Sequence, residues 1–188
     1  TTGKLLLTLI TSNITRIQQA LNVAVKSGRK VSFVGRSMEN NFQVARELGY
    51  LQVPPGLVVA QEEIKRIPPE KLMVIISGAF GQPGSALSRV ANGEHKFIQL
   101  LKGDTVLVSA DPMPSTEEAQ GVLIDNLSRF GCKVFYSASD PSLHVSGHAA
   151  AEELKIMINL AKPKFLMPIG GGFKHIRAFV RMCQDLGY

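Results

Sequence analysis

The stretch His144-Val145-Ser146-Gly147-His148 holds the residue types most able to do chemistry in this 188-residue sequence. It follows a strand-like segment and precedes a helix-like one. A glycine at such a junction lets backbone amides point outward and the serine hydroxyl adds a donor. The positive end of a helix dipole favours an anion there, so phosphate is the natural guest. A histidine beside that seat can hydrogen-bond a phosphate oxygen or shuttle a proton near neutral pH. The plainer alternative is a helix cap with two surface imidazoles.

Weaker candidates share the same logic. Gly170-Gly171-Gly172 stands between a strand-like run and a helix carrying Lys174, His175 and Arg177, an arrangement that allows close approach to phosphate but equally makes a flexible turn. Ser37, after Gly35-Arg36, and Ser77, before Gly78, can each meet phosphate at a helix start or merely cap it. Only four histidines occur (His95, His144, His148, His175), without His-Glu-x-x-His or a cysteine pair at ligand spacing. His144, His148 and Asp140 could gather round an ion, but no helix face orients them, so no metal site is expected in this chain. The sequence has no Gly-x-Ser-x-Gly elbow, no Gly-x-Gly-x-x-Gly and no Walker lysine, which argues against the corresponding hydrolases and nucleotide enzymes.

The elements that must position these residues alternate along the chain. Apolar runs at Leu5 to Ile10, Lys30 to Val34, Lys71 to Ile76, Thr105 to Ser109, Lys133 to Tyr136 and Phe165 to Ile169 read as strands. Between them, Ile14, Ile17, Leu21 and Ala24 mark a helix capped by Ser12 or Asn13. Met38, Phe42, Ala45 and Leu48 mark a second with Ser37 as cap, and Ser85 to Ala91 a short third. Ser115-Thr116-Glu117-Glu118 reads as a capping box ahead of an amphipathic helix with Ala119, Val122, Leu123, Asn126, Leu127 and Phe130 on one face. Helices over Ala150 to Ala161 and from Phe173 follow. This alternation predicts a three-layer α/β fold with a mainly parallel sheet, whose ligands bind beyond the carboxyl ends of the strands. The loops there are Gly35-Arg36-Ser37, Ser77 to Gly81, Ser109 to Pro114 and Ser137 to His148.

Composition agrees with an ordinary globular chain: 45% of residues are apolar, and 21 Lys and Arg face 15 Asp and Glu for a net charge of +6. At this length roughly 70% of the unfolded surface can be buried, so the core needs no disulfide or metal. No apolar run approaches the roughly 20 residues of a membrane span, and Thr1-Thr2-Gly3-Lys4 opens without a signal-peptide pattern, so a cytoplasmic chain with no membrane partner is expected. Cys132 and Cys183 are then expected to be buried, reduced thiols. Residues 1–36 hold six basic side chains (Lys4, Arg16, Lys26, Arg29, Lys30, Arg36) and no acid, and residues 162–188 hold five against Asp185. Such basic ends suit a polyanion if they meet, or are simply solvated helix exteriors.

The strings Thr11-Ser12-Asn13-Ile14-Thr15-Arg16-Ile17-Gln18-Gln19, Gly28-Arg29-Lys30-Val31, Gly35-Arg36-Ser37-Met38-Glu39-Asn40, Ser85 to His95 and His144 to Ala149 are long and specific. In them the chain strongly resembles ribonuclease J, in the β-CASP group of the metallo-β-lactamase superfamily, and the likeness runs through essentially the whole sequence in order. The resemblance implies RNA processing and decay by a zinc-dependent ribonuclease with endonuclease and 5′-to-3′ exonuclease activity. In it this domain helps clamp RNA and form a 5′-phosphate pocket. It implies that Ser146, Gly147 and His148 contact the phosphate at the cleavage site, with His148 as the motif histidine in the catalytic role. His144, Arg36 and Ser37 are expected as further phosphate or RNA contacts. The implied partners are RNA and the metallo-β-lactamase domain of a parent protein, with self-association left open.

The chain also departs from the family pattern. The His-x-His-x-Asp-His metal motif is absent, and where the family has Pro-Val-His-Gly-Glu this chain has Pro168-Ile169-Gly170-Gly171-Gly172; Thr15 stands where a histidine is usual. Two readings fit: an excised domain closed by a glycine bridge, which the three glycines favour, or a divergent paralogue that keeps the RNA surface. Either way the chain should fold without hydrolysing RNA at a meaningful rate. Residues 1–169 are expected to form the β-CASP domain, with 170–188 a glycine bridge and final helix in the same globular unit. The rival functions are a non-catalytic RNA-binding or assembly subunit and an α/β enzyme for a phosphorylated metabolite.

Overall fold

The structure, a computed structural model, describes residues 1–113 and 115–188. Two compact units result, Thr1–His144 and Val145–Tyr188.

In the first unit, β1 (Leu5–Leu9), β2 (Lys30–Val34), β3 (Leu72–Ile76), β4 (Thr105–Ser109) and β5 (Lys133–Tyr136) alternate with α1 (Ile14–Lys26), α2 (Arg36–Glu47), α3 (Ala86–Ala91) and α4 (Glu117–Ser128). The strands form one sheet in the order β2-β3-β1-β4-β5, every pairing parallel. Leu6 of central β1 stands opposite both Val74 and Val106. One face of the sheet packs Leu6, Val74, Ile76, Val106 and Val108 against Leu87 and Val90 of α3 and Leu123 and Leu127 of α4. The other packs Val31, Phe33, Met73 and Ile75 against Ile17 and Leu21 of α1 and Met38 and Phe42 of α2. Burial on both sides is why the strands read as continuous apolar runs, and the three-layer α/β fold is the expected one. The outer edge of β2 is covered by Leu57 to Val59, whose backbone bonds to both polar groups of Val31.

The edge of the sheet at the amino ends of the strands is tied by buried charge. Lys4 Nζ lies 2.7 Å from Asp104 Oδ2, both side chains being buried, and Asp104 also accepts from the amides of Lys4 (2.7 Å) and Leu101 (2.9 Å). Arg29, also buried, donates to the carbonyls of Gly3 (3.1 Å) and Leu72 (2.8 Å) and to the Thr1 hydroxyl (2.7 Å). Lys4 and Arg29 therefore add nothing to a positive surface, which corrects their place in the basic amino-terminal stretch.

The second unit holds a short 11-residue helix, α5 (Ala151–Ala161), and the 13-residue α6 (Phe173–Asp185) around a small core of Ile158, Met182 and Cys183. Among the described residues no helix is long and apolar enough to cross a membrane.

Several local expectations are corrected. Phe165 to Ile169 is no strand: among the described residues it has no hydrogen-bonded neighbour, and its alternate side chains Phe165, Met167 and Ile169 are 82%, 81% and 92% exposed while Leu166 packs inward. Ser37 does not cap α2, because the helix begins at Arg36 with Gly35 as its cap, two residues before Ser37. The capping box at Ser115 does not form: α4 starts at Glu117 with Thr116 in the cap position and no side-chain cap hydrogen bond, and Ser115 takes a positive φ of 77°. The buried stripe of α4 is Gln120, Leu123 and Leu127, with Val122 outside, because the Gln120 amide is needed inside to donate to the Ala79 carbonyl (2.8 Å). Both cysteines are free, but Cys132 is only partly buried; that burial and the nearby Asp104 charge push its thiol above the ordinary value.

Two measurements test this account. Asp104→Ala strands the Lys4 ammonium in the interior and is expected to cost about 3–5 kcal/mol in denaturant unfolding; a loss under about 1 kcal/mol would contradict the ion pair's role. His95 Nδ1 accepts from the amides of Phe97 and Ile98 at 3.3 Å, and burial, then the Arg89 charge, holds the imidazole below its ordinary 6.5. The unfolded chain binds the proton more readily, so this contribution is complete above pH 6.5 and is lost as pH falls below it through the folded value. His95→Gln should therefore flatten the stability decline over that acidic range, and an identical decline in both proteins would refute the linkage.

Candidate functional site

Because all five strands run parallel, their carboxyl ends share one edge. The turns leaving Leu9, Val34, Ile76, Ser109 and Tyr136 meet there, as expected for an α/β sheet. The Ser109 to Pro114 loop was expected among them; Pro114 itself lies outside the described residues. Close approach between these turns rests on glycine. Gly35 has φ 104°, and a Cβ there would collide with the Ser77 side chain, while Gly78 at φ 113° leaves room for Ser85. Asn13 caps α1 by accepting from the Arg16 amide (3.0 Å), and Asn41 donates to the Thr11 hydroxyl (3.2 Å).

The densest polar cluster at this edge was not singled out from the sequence as a site. Arg16 Nη1 reaches from the first turn of α1 to the Ser109 carbonyl (3.0 Å), the Ser109 hydroxyl (3.3 Å) and His144 Nδ1 (3.0 Å). The Ser109 hydroxyl donates to the Leu143 carbonyl (2.6 Å). His144 Nε2 faces Asp111 Oδ2 at 3.6 Å, with the imidazole only 8% exposed and Asp111 45% exposed. No spacing rule links residues 16, 109, 111 and 144; they meet because β1 and β4 are neighbours in the sheet.

The other expected site residues are more open. Arg36 and Ser37 are exposed in the first turn of α2, where Glu39 accepts from the Gly35 amide (2.9 Å) and from Gln61 (2.8 Å) and so already supplies a carboxylate at that terminus. In the second unit Ser146, Gly147 and His148 are all exposed, and the His148 amide donates to the Ser146 hydroxyl (3.2 Å). This turn does not cap α5 as its spacing implied. The helix starts at Ala151, and the Ala150 amide is taken by Glu153 (2.7 Å). At α6 the Gly172 amide is likewise taken by His175 Nδ1 (3.0 Å).

Among the described residues no three His, Cys, Asp or Glu side chains gather to hold a metal ion. Asp140 is engaged locally: the Ser142 hydroxyl (2.7 Å) and amide (3.0 Å) both donate to it and hold its carboxyl below the usual range.

Fold and edge together define a class, a three-layer α/β domain with a parallel sheet and its open turns at one edge. A family model described as the ribonuclease J beta-CASP domain matches residues 2–127, and one described as the Zn-dependent metallo-hydrolase RNA specificity domain matches residues 141–188. The chain is 40% identical to Ribonuclease J of Mycolicibacterium smegmatis and 35% identical to Ribonuclease J2 of Bacillus subtilis, in each case over 98% of this chain and 33% of the relative. It is 37% identical to Ribonuclease J of Helicobacter pylori over 93% of this chain and 25% of that protein. The chain belongs to the ribonuclease J family, and it spans about a third of the length of the first relatives it matches.

The two glycine environments predict opposite outcomes. Gly35→Ala forces a strained φ and a clash, and should lose about 1–3 kcal/mol in denaturant unfolding. Gly147 has no positive φ and nothing within 4 Å of an added Cβ, so Gly147→Ala should leave stability within about 0.5 kcal/mol. Equal losses at both positions would show that the turn around Gly147 is not open.

Proposed function

We propose that this chain is the RNA-holding part of a ribonuclease J-like, metal-dependent enzyme of RNA processing and decay, binding RNA backbone and 5′-phosphate. The observation that carries this reading is the turn Ser146-Gly147-His148: hydroxyl, unobstructed backbone and imidazole all face solvent in a family member matched by an RNA specificity domain. Ser146 and Gly147 supply uncharged donors to phosphate oxygens. His148 stands beside them as the residue able to donate to, or move a proton at, the cleaved phosphodiester. Arg36 and Ser37 at the carboxyl end of β2 add a cation and a hydroxyl along the RNA backbone, and His144 serves the 5′-phosphate pocket.

Zinc belongs, in this reading, to the metallo-β-lactamase domain of the longer relatives. This chain carries glycines at 170 and 172, where the family's metal-site turn has histidine and glutamate, so alone it binds RNA without cutting it. The exposed, alternating Phe165, Met167 and Ile169 have the pattern of a strand awaiting a neighbour, which supports that domain as the protein partner.

His148→Ala is expected to weaken binding of 5′-monophosphorylated RNA about tenfold, and 5′-hydroxyl RNA by much less. Equal losses on the two RNAs would remove the phosphate role. Binding should also fall steeply as salt rises, because phosphate contacts release counterions. A flat salt response with tight mononucleotide binding would favour a phosphorylated metabolite instead.

A further inference from the structure

We propose that Arg16 is a positioning residue that sets the tautomer of His144, so that its imidazole presents a donor at Nε2. A guanidinium has five N–H donors and no acceptor, so the 3.0 Å contact between Arg16 Nη1 and His144 Nδ1 requires a lone pair on Nδ1. The ring proton then lies on Nε2. That nitrogen faces Asp111 at 3.6 Å, too far for a direct hydrogen bond, so the donor is oriented by the carboxylate without being consumed by it.

The same guanidinium nitrogen also fixes the backbone beneath the ring. It donates to the carbonyl and hydroxyl of Ser109, which leaves the Ser109 hydroxyl proton to point at the Leu143 carbonyl, 2.6 Å away. One side chain on α1 thereby holds the ring of His144 and, through β4, the peptide just before it. Burial of the imidazole to 8% exposure keeps water from competing for Nδ1. A ring locked in this form offers an N–H, the group an anionic phosphate oxygen requires, and not a lone pair. This consequence rests on the phosphate reading given above, whereas the tautomer itself does not.

Long-range proton–nitrogen correlation spectra of the histidine rings test the two separately. The wild-type chain should show His144 as the Nε2–H form. Arg16→Met, which keeps the apolar stem, should give a mixture of tautomers and about a tenfold loss of affinity for 5′-monophosphorylated RNA. Arg16→Lys, also a pure donor, should restore much of the Nε2–H signal. An Nδ1–H form in the wild type, or an unchanged spectrum in Arg16→Met, overturns the proposal, and the wild-type spectrum decides even if the variant fails to fold. A lost tautomer with undiminished RNA affinity upholds the positioning role and counts against the phosphate reading.

Discussion

Parallel pairing of five strands is the constraint from which the arrangement of the first unit follows. Each strand must be re-entered from the same end, so every helix returns the chain over a face of the sheet and every departing turn lands on one edge. With both faces covered, Leu6, Val74, Ile75, Val106 and their neighbours are removed from water altogether, and the sheet becomes a rigid platform. The cluster around Arg16 is possible because β1 and β4 are adjacent, which brings the first turn of α1 beside the end of β4 and the turn that follows β5.

The two edges of this sheet use charge in opposite ways. At the edge formed by the amino ends of the strands, Lys4, Asp104 and Arg29 are buried and their hydrogen bonds are spent on one another and on backbone carbonyls. At the opposite edge, Arg36 is exposed and Asp111 half exposed, and only Arg16 and His144 are held inward. Basic residues counted along the chain therefore overstate the positive surface, since two of the first six are structural.

The second unit is built on a different balance. Its core is small and much of its apolar surface is outside: Leu160, Phe165, Met167, Ile169 and Phe173 are each more than three-quarters exposed. Isolated exposed apolar residues are ordinary, whereas Phe165, Met167 and Ile169 alternate along one run. The chain spans about a third of the length of the first relatives it matches.

The amino-acid sequence by itself determined the layer architecture, five strand spans to within a residue and, as one of two candidates, the cap at Asn13, because apolar periodicity and local capping chemistry are short-range. It misread Phe165 to Ile169, whose alternation is that of a strand while pairing depends on a neighbour that periodicity cannot report. It also misplaced the start of α2, where the Gly35 backbone, with its positive φ, competes with a good capping serine two residues on. The motif at Ser146 to His148 was legible because its residues are contiguous. Arg16, Ser109, Asp111 and His144 were not legible as a group, since they lie far apart in sequence and only the order of strands in the sheet brings one guanidinium within 3.0 Å of one imidazole.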